Sequence, residues 1–140
     1  MKRIYEMDEG VKPYEYFHKV MGGKWKPYII RGIQYKGYIR FNEFTYVMGI
    51  TPKVLKQQLR ELEDDGIIRR CIHEVVPPRV DYIFTEAGEK LVPIYDLIFE
   101  WSLEQLKKKG EKIAPYSYLY HNMDEKFYNT KQNVSDPDEE

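Results

Sequence analysis

A chain of 140 residues, 42% hydrophobic and 32% charged, has room for one domain around a single core and the composition of an ordinary soluble globular protein. The single cysteine excludes an intrachain disulfide framework and fits a reducing cytosol, so the expected location is cytoplasmic. No run of about eighteen apolar residues is present and the opening "MKRIYEMDEGVKPYEYF" has no apolar signal core, so neither a membrane span nor a secretory leader is expected. The formal net charge of −1 hides an asymmetry. Residues 19–79 hold twelve Lys and Arg against six Asp and Glu, whereas residues 110–140 hold three against seven. A basic central block followed by an acidic tail is compatible with nucleic-acid contact without requiring it.

Residues 1–12 read as a loose arm. A short helix follows from Pro13, with Tyr14, Phe17, Val20 and Met21 at helical spacing. Gly22 and Gly23 end it. A second helix opens in "KWKPYIIRGIQYKG", where Pro27 is tolerable only in the first turn. Trp25, Tyr28, Ile29 and Ile33 are placed to share a buried stripe, and Gly37 closes the helix. "RFNEFTYVM" predicts a third helix, broken at Gly49.

The most informative stretch is "GITPKVLKQQLRELEDDGIIRR", residues 49–70. Thr51 is a suitable N-cap, Pro52 a suitable first helical residue, and Ile50 and Leu55 stand at hydrophobic-staple spacing. At about 100° per residue, Leu55, Leu59 and Leu62 fall in one arc, and Lys53, Lys56, Gln57 and Arg60 fall together on another. Gly66 terminates the helix. Asp64 and Asp65 sit at the unfavourable end of the helix dipole, which suggests that this end faces away from any phosphate. Two β-rich runs, "IIRRCIHEV" and "RVDYIFT", separated by "VPP", predict a hairpin with Arg79 near its tip. Thr85 then caps a long helix, "EAGEKLVPIYDLIFEWSLEQLKKKG", which Pro93 should kink or loosen. Its apolar stripe of Leu91, Ile94, Leu97, Ile98 and Trp101 is broader than one small core needs. From about residue 110 the tail divides into "IAPYSYLYH", expected to pack as an extended arm, and a polar, mobile end.

This order predicts an α+β, mainly helical fold: a winged helix-turn-helix with a two-stranded wing and a long C-terminal dimerisation helix. An N-terminal arm (1–12), a winged-helix DNA-binding and dimerisation domain (13–109) and a polar, acidic, tyrosine-rich tail (110–140) make up the chain. The helix at about 52–64 would lie in the DNA major groove, with the hairpin at about 67–84 against the backbone or minor groove. Three leucines hold that helix to the body and leave its cationic face outward.

"GGKW" at 22–25, "RFNEF" at 40–44, "ITPKVLKQQLRELEDDGIIRR" at 50–70, "VPPRVDYIFTEAG" at 76–88 and the helix carrying Trp101 follow one another at a spacing that resembles the HxlR-type winged helix-turn-helix transcriptional regulators. The likeness covers residues 12–108. It implies a homodimer on operator DNA, joined mainly by the first and last helices. Many family members carry a cysteine just before the proline that opens the first helix; here Lys12 precedes Pro13, which removes thiol sensing at that position. The long acidic tail has no counterpart in the family pattern.

Lys53 and Gln57, one turn apart, are the candidates for base edges, because Lys pairs with guanine acceptors and Gln with adenine, each good contact discriminating by about 1–3 kcal/mol. Lys56, Arg60 and Arg40 are placed for phosphates. Thr51 suits both capping and a phosphate, and Arg79 suits the minor groove, backbone or solvent. Lys24 and Lys26 are weaker candidates for flanking the backbone. A plain solvated helix face is the bland alternative for Lys53 and Gln57, and a solvated turn for Arg79. Tyr14, Phe17, Leu91, Ile94, Leu97, Ile98 and Trp101 are core or dimer interface. A two-fold dimer would set two recognition helices about 34 Å apart and predicts a pseudo-palindromic operator. Cys71 and His73 share a strand face but are too few for a metal site, and no cofactor or catalytic motif emerges. Tyrosines 28, 35, 38 and 46 either line a small-molecule effector pocket or serve as ordinary core and surface residues. The alternative to a DNA-binding regulator is a winged-helix protein–protein module.

Overall fold

The computed structural model describes residues 1–7 and 9–118. Six helices and three strands follow in the order α1 (Ile4–Met7), α2 (Pro13–Met21), α3 (Lys26–Lys36), β1 (Ile39–Arg40), α4 (Phe41–Met48), α5 (Pro52–Asp64), β2 (Ile68–His73), β3 (Arg79–Phe84) and α6 (Glu86–Lys108), with a 3-10 turn at Pro115–Tyr118. The architecture is a winged helix-turn-helix. It differs from expectation in three places. One exposed helical turn, α1, lies in the region read as a loose arm. The tail adopts a 3-10 turn where an extended arm was expected, and its polar end lies outside the described residues. The wing belongs to a sheet of three strands, in the order β1-β3-β2, because Ile39 and Arg40 pair antiparallel with Tyr82 and Asp81. A two-residue strand is too short to leave a period-two pattern, so "RFNEF" read as helix from its first residue.

The core gathers Ile29, Ile30 and Ile33 of α3, Phe44 of α4, Leu55, Leu59 and Leu62 of α5, Ile67 and Ile68, and Leu91 and Tyr95 of α6. Tyr28 departs from the predicted stripe of α3, half-exposed, and Ile30 takes the buried place. Helix α6 runs through Pro93 without interruption. Two close approaches explain glycines. A Cβ on Gly32 would lie 3.0 Å from the Phe44 ring and 3.1 Å from Ile39 Cγ2. A Cβ on Gly88 would lie 2.2 Å from the Ile67 carbonyl oxygen, so the first turn of α6 rests directly on the chain entering β2.

Candidate nucleic-acid interface

The helix-turn-helix is built by local chemistry. Helix α4 ends at Gly49, which is left-handed (φ 70°) and donates its N–H to the Thr45 carbonyl at 2.9 Å. Ile50 turns inward and is buried. Thr51 then caps α5, its Oγ1 accepting from the Val54 N–H at 3.3 Å, and Pro52 occupies the first turn, where its missing N–H costs nothing. Leu55, Leu59 and Leu62 are 0%, 2% and 0% exposed. That pins the rotation of α5 and leaves Lys53, Lys56, Gln57 and Arg60 exposed together on its other side.

Beneath this face lies an ion pair that the sequence did not suggest. Lys26 is not an exposed backbone contact. It is 3% exposed, and its ammonium donates to the Val20 carbonyl at 2.9 Å and to Glu61 Oε2 at 2.8 Å. The hydrogen bond from Lys26 holds the Glu61 carboxyl below its ordinary range, against a smaller opposing effect of burial. Glu61 Oε1 in turn accepts from Gln57 Nε2 at 3.4 Å. Lys24 remains exposed, its ammonium 4.8 Å from the Trp25 ring.

The wing is held by a second buried group. Asp81, at 5% exposure, accepts from Arg40 Nε at 3.0 Å, meets His73 Nε2 at 2.8 Å and lies 3.8 Å from Arg79 Nε. Arg40, expected at a phosphate, is the counter-ion of Asp81, with its guanidinium carbon 4.7 Å from the Tyr38 ring. His73 faces Asp81, and among the described residues no three His, Cys, Asp or Glu side chains converge on a metal position. Arg79 stays exposed at the start of β3. Arg69, absent from the predicted contacts, is exposed on β2, and Arg70 beside it pairs with Glu63 at 3.2 Å.

On α2 and α6, Tyr14, Phe17, Ile94, Leu97, Ile98 and Trp101 are 92%, 38%, 43%, 66%, 44% and 66% exposed, an unusual display for large apolar side chains. Leu91 differs: at 8% it is packed inside the protomer, because it lies over the core and not on the outward arc of α6. Three of the four tyrosines singled out have distinct surroundings. Tyr46 is 66% exposed, Tyr38 stacks on Lys36 and Arg40, and Tyr28 lines a cavity between α3 and α6.

Residues 20–110 match the family model described as HxlR-like helix-turn-helix. The chain belongs to that family. Among its relatives, the HTH-type transcriptional regulator YybR of Bacillus subtilis (strain 168) is 45% identical over 101 residues, which cover 71% of this chain and 79% of that protein. The structure of the redox regulator HypR in its reduced form superposes with a TM-score of 0.60 at 43% identity, covering 69% of this chain and 94% of that one. The HTH-type transcriptional regulator YtcD gives 0.65 at 39%, covering 69% and 99%. The chain is thus a transcriptional regulator of the HxlR-like winged helix-turn-helix type, and among the described residues no helix is long and apolar enough to cross a membrane.

Proposed function

We propose that the protein binds double-stranded DNA in a sequence-specific manner as a homodimer, with α5 in the major groove and the β2–β3 wing against the backbone or minor groove. The observation that carries this reading is the two-sidedness of α5: a leucine seam buried to 2% exposure or less, opposite an exposed face of Lys53, Lys56, Gln57 and Arg60. The capped start of such a helix also turns its N–H groups toward a phosphate. Lys53 and Gln57 read base edges; Lys56, Arg60, Thr51 and Arg79 hold phosphates. Arg40, spoken for by Asp81, is left out of this set. The exposed apolar residues of α2 and α6 form the two-fold interface and set the two copies of α5 on successive grooves of a pseudo-palindromic operator. The protein acts in the cytoplasm and catalyses no reaction.

The test is fluorescence anisotropy with labelled duplexes from upstream of the protein's own gene and its neighbours, against an unrelated duplex of equal length, at two salt concentrations. Preference for upstream DNA with steep salt dependence is expected. Lys53→Ala or Gln57→Ala should relax sequence preference, whereas Lys56→Ala or Arg60→Ala should weaken binding to all duplexes and lower the salt slope by about one each. Unchanged specific binding in all four variants would remove α5 from the reading. Binding no tighter at low salt than at high salt would favour a protein–protein module.

A further inference from the structure

Gln57, a candidate for base edges, is tied to a neighbour. Its Nε2 donates to Glu61 Oε1 at 3.4 Å, one turn farther along α5, and this is its one side-chain hydrogen bond among the described residues. Glu61 is fixed in turn. Its other oxygen, Oε2, accepts from the Lys26 ammonium at 2.8 Å, and that ammonium also donates to the Val20 carbonyl at 2.9 Å. The Lys26 side chain is 4% exposed and the Glu61 side chain 41%, while Gln57 is exposed. A chain of hydrogen bonds thus runs from the end of α2, through the buried start of α3, to the outward face of α5.

The chemistry of this chain decides which way round the Gln57 amide stands. A primary amide carries an acceptor, Oε1, and a donor, Nε2, of nearly equal shape, so an untethered one turns over readily. An ionised carboxylate only accepts. The Lys26 hydrogen bond holds the Glu61 carboxyl below its ordinary range, so it is ionised at neutral pH. Beside it the amide nitrogen is favoured and the amide oxygen repelled. Nε2 has two hydrogens, and one remains when Glu61 has taken the other. Gln57 therefore offers one donor and one acceptor in a set order. In the major groove adenine presents N7 as acceptor and its N6 amino group as donor, and a Gln amide matches the pair bidentately. Reversing the base pair reverses that order across the groove. An untethered amide follows the reversal by turning over; a tethered one must first break its bond to Glu61.

We propose that Glu61, anchored by Lys26, is a positioning residue that makes Gln57 read an A·T pair in one orientation and discriminate against T·A. The effect needs no contact between Glu61 and DNA. It rests on the reading of α5 as the helix in the major groove.

The test selects duplexes from a randomised pool with the full chain and its variants, at one salt concentration, and sequences the bound fraction. Gln57→Ala identifies the base pair in each half-site that Gln57 reads, as the position whose preference it flattens. There the unaltered chain should favour A·T over T·A by about tenfold, within the range of a good bidentate contact. Glu61→Gln keeps the shape and leaves Lys26 an acceptor, but turns an amide nitrogen toward Gln57. It should abolish or invert that preference and leave the other positions as they were. The loss of one negative charge strengthens all duplexes alike and cancels in the ratio. Lys26→Met removes the anchor of Glu61 and should lower the ratio as well, so it decides if circular dichroism finds Glu61→Gln unfolded. An unaltered ratio in folded Glu61→Gln would overturn the proposal while leaving α5 as the recognition helix. An equal fall in preference at every position would overturn it too, because Glu61 would then act on α5 as a whole. If Gln57→Ala flattens no position, the base-reading role of Gln57 falls, and the proposal with it.

Discussion

Lys26 Nζ lies 2.8 Å from Glu61 Oε2, so the start of α3 is tied to α5 just behind the face that carries Lys53 and Gln57. The two partners are unequal: the lysine side chain is 4% exposed and the glutamate side chain 41%. Removing Glu61 strands a buried ammonium with the Val20 carbonyl as its remaining acceptor, whereas removing Lys26 leaves a carboxylate that water can reach. Glu61→Ala should therefore cost more than Lys26→Met, about 2 kcal/mol against under 1. Urea unfolding of the two variants and the double variant measures this. Equal losses would mean that the lysine is solvated in the folded protein.

The same pair sets a pH dependence. The Glu61 carboxyl is held below its ordinary range, chiefly by the Lys26 hydrogen bond. A depressed acid binds fewer protons folded than unfolded, so its contribution is fully present above the ordinary glutamate pKa of about 4.3 and disappears as pH falls from there through the lower native value. The wild type should lose stability over that window more steeply than Glu61→Gln. Thermal melts between pH 6 and the acid limit of folding compare the two slopes; parallel curves would show that the carboxylate gains nothing from Lys26.

Gly88 is fixed by contact, not by backbone dihedral. An added methyl would stand 2.2 Å from the Ile67 carbonyl oxygen and 2.9 Å from Phe84 Cδ1. The first of these is main chain and cannot swing aside, so α6 must lift from the sheet. Gly88→Ala should cost about 3 kcal/mol, the upper part of the range for overpacking, despite the gain in helix propensity. A denaturation midpoint equal to the wild type would mean that α6 sits farther from Ile67 than the structure places it.

What could be read from the sequence was what short-range chemistry decides. Thr51 and Thr85 cap the helices they were assigned, Gly37, Gly49 and Gly66 stand in the left-handed region at helix ends, and the three leucines of α5 are buried as their spacing required. Those signals lie within a few residues of one another. The features that escaped join distant parts of the chain. Arg40 meets Asp81 across 41 positions, and Lys26 meets Glu61 across the whole helix-turn-helix. No local pattern distinguishes a lysine that will be buried from one that will be solvated. Leu91 and Leu97 illustrate the same limit, since both fit the apolar stripe of α6 but are 8% and 66% exposed. Periodicity places a residue on a face and does not say whether the protomer or a second copy covers it.

The exposed apolar face offers the last prediction. Leu97 and Trp101 stand one turn apart on α6, each 66% exposed, with Ile94 and Ile98 beside them. Trp101 and Leu97 contribute little to the protomer's own core, so charged replacements there should leave folding almost untouched while opposing any apolar association. The double variant Leu97→Glu/Trp101→Glu is expected to melt within a few degrees of the wild type, to sediment as a monomer where the wild type sediments as a dimer, and to lose affinity for a two-half-site operator far more than for an isolated half-site. The last comparison separates loss of dimerisation from damage to α5, because a damaged recognition helix would weaken both duplexes alike. A variant that remained dimeric would move the two-fold interface away from α6.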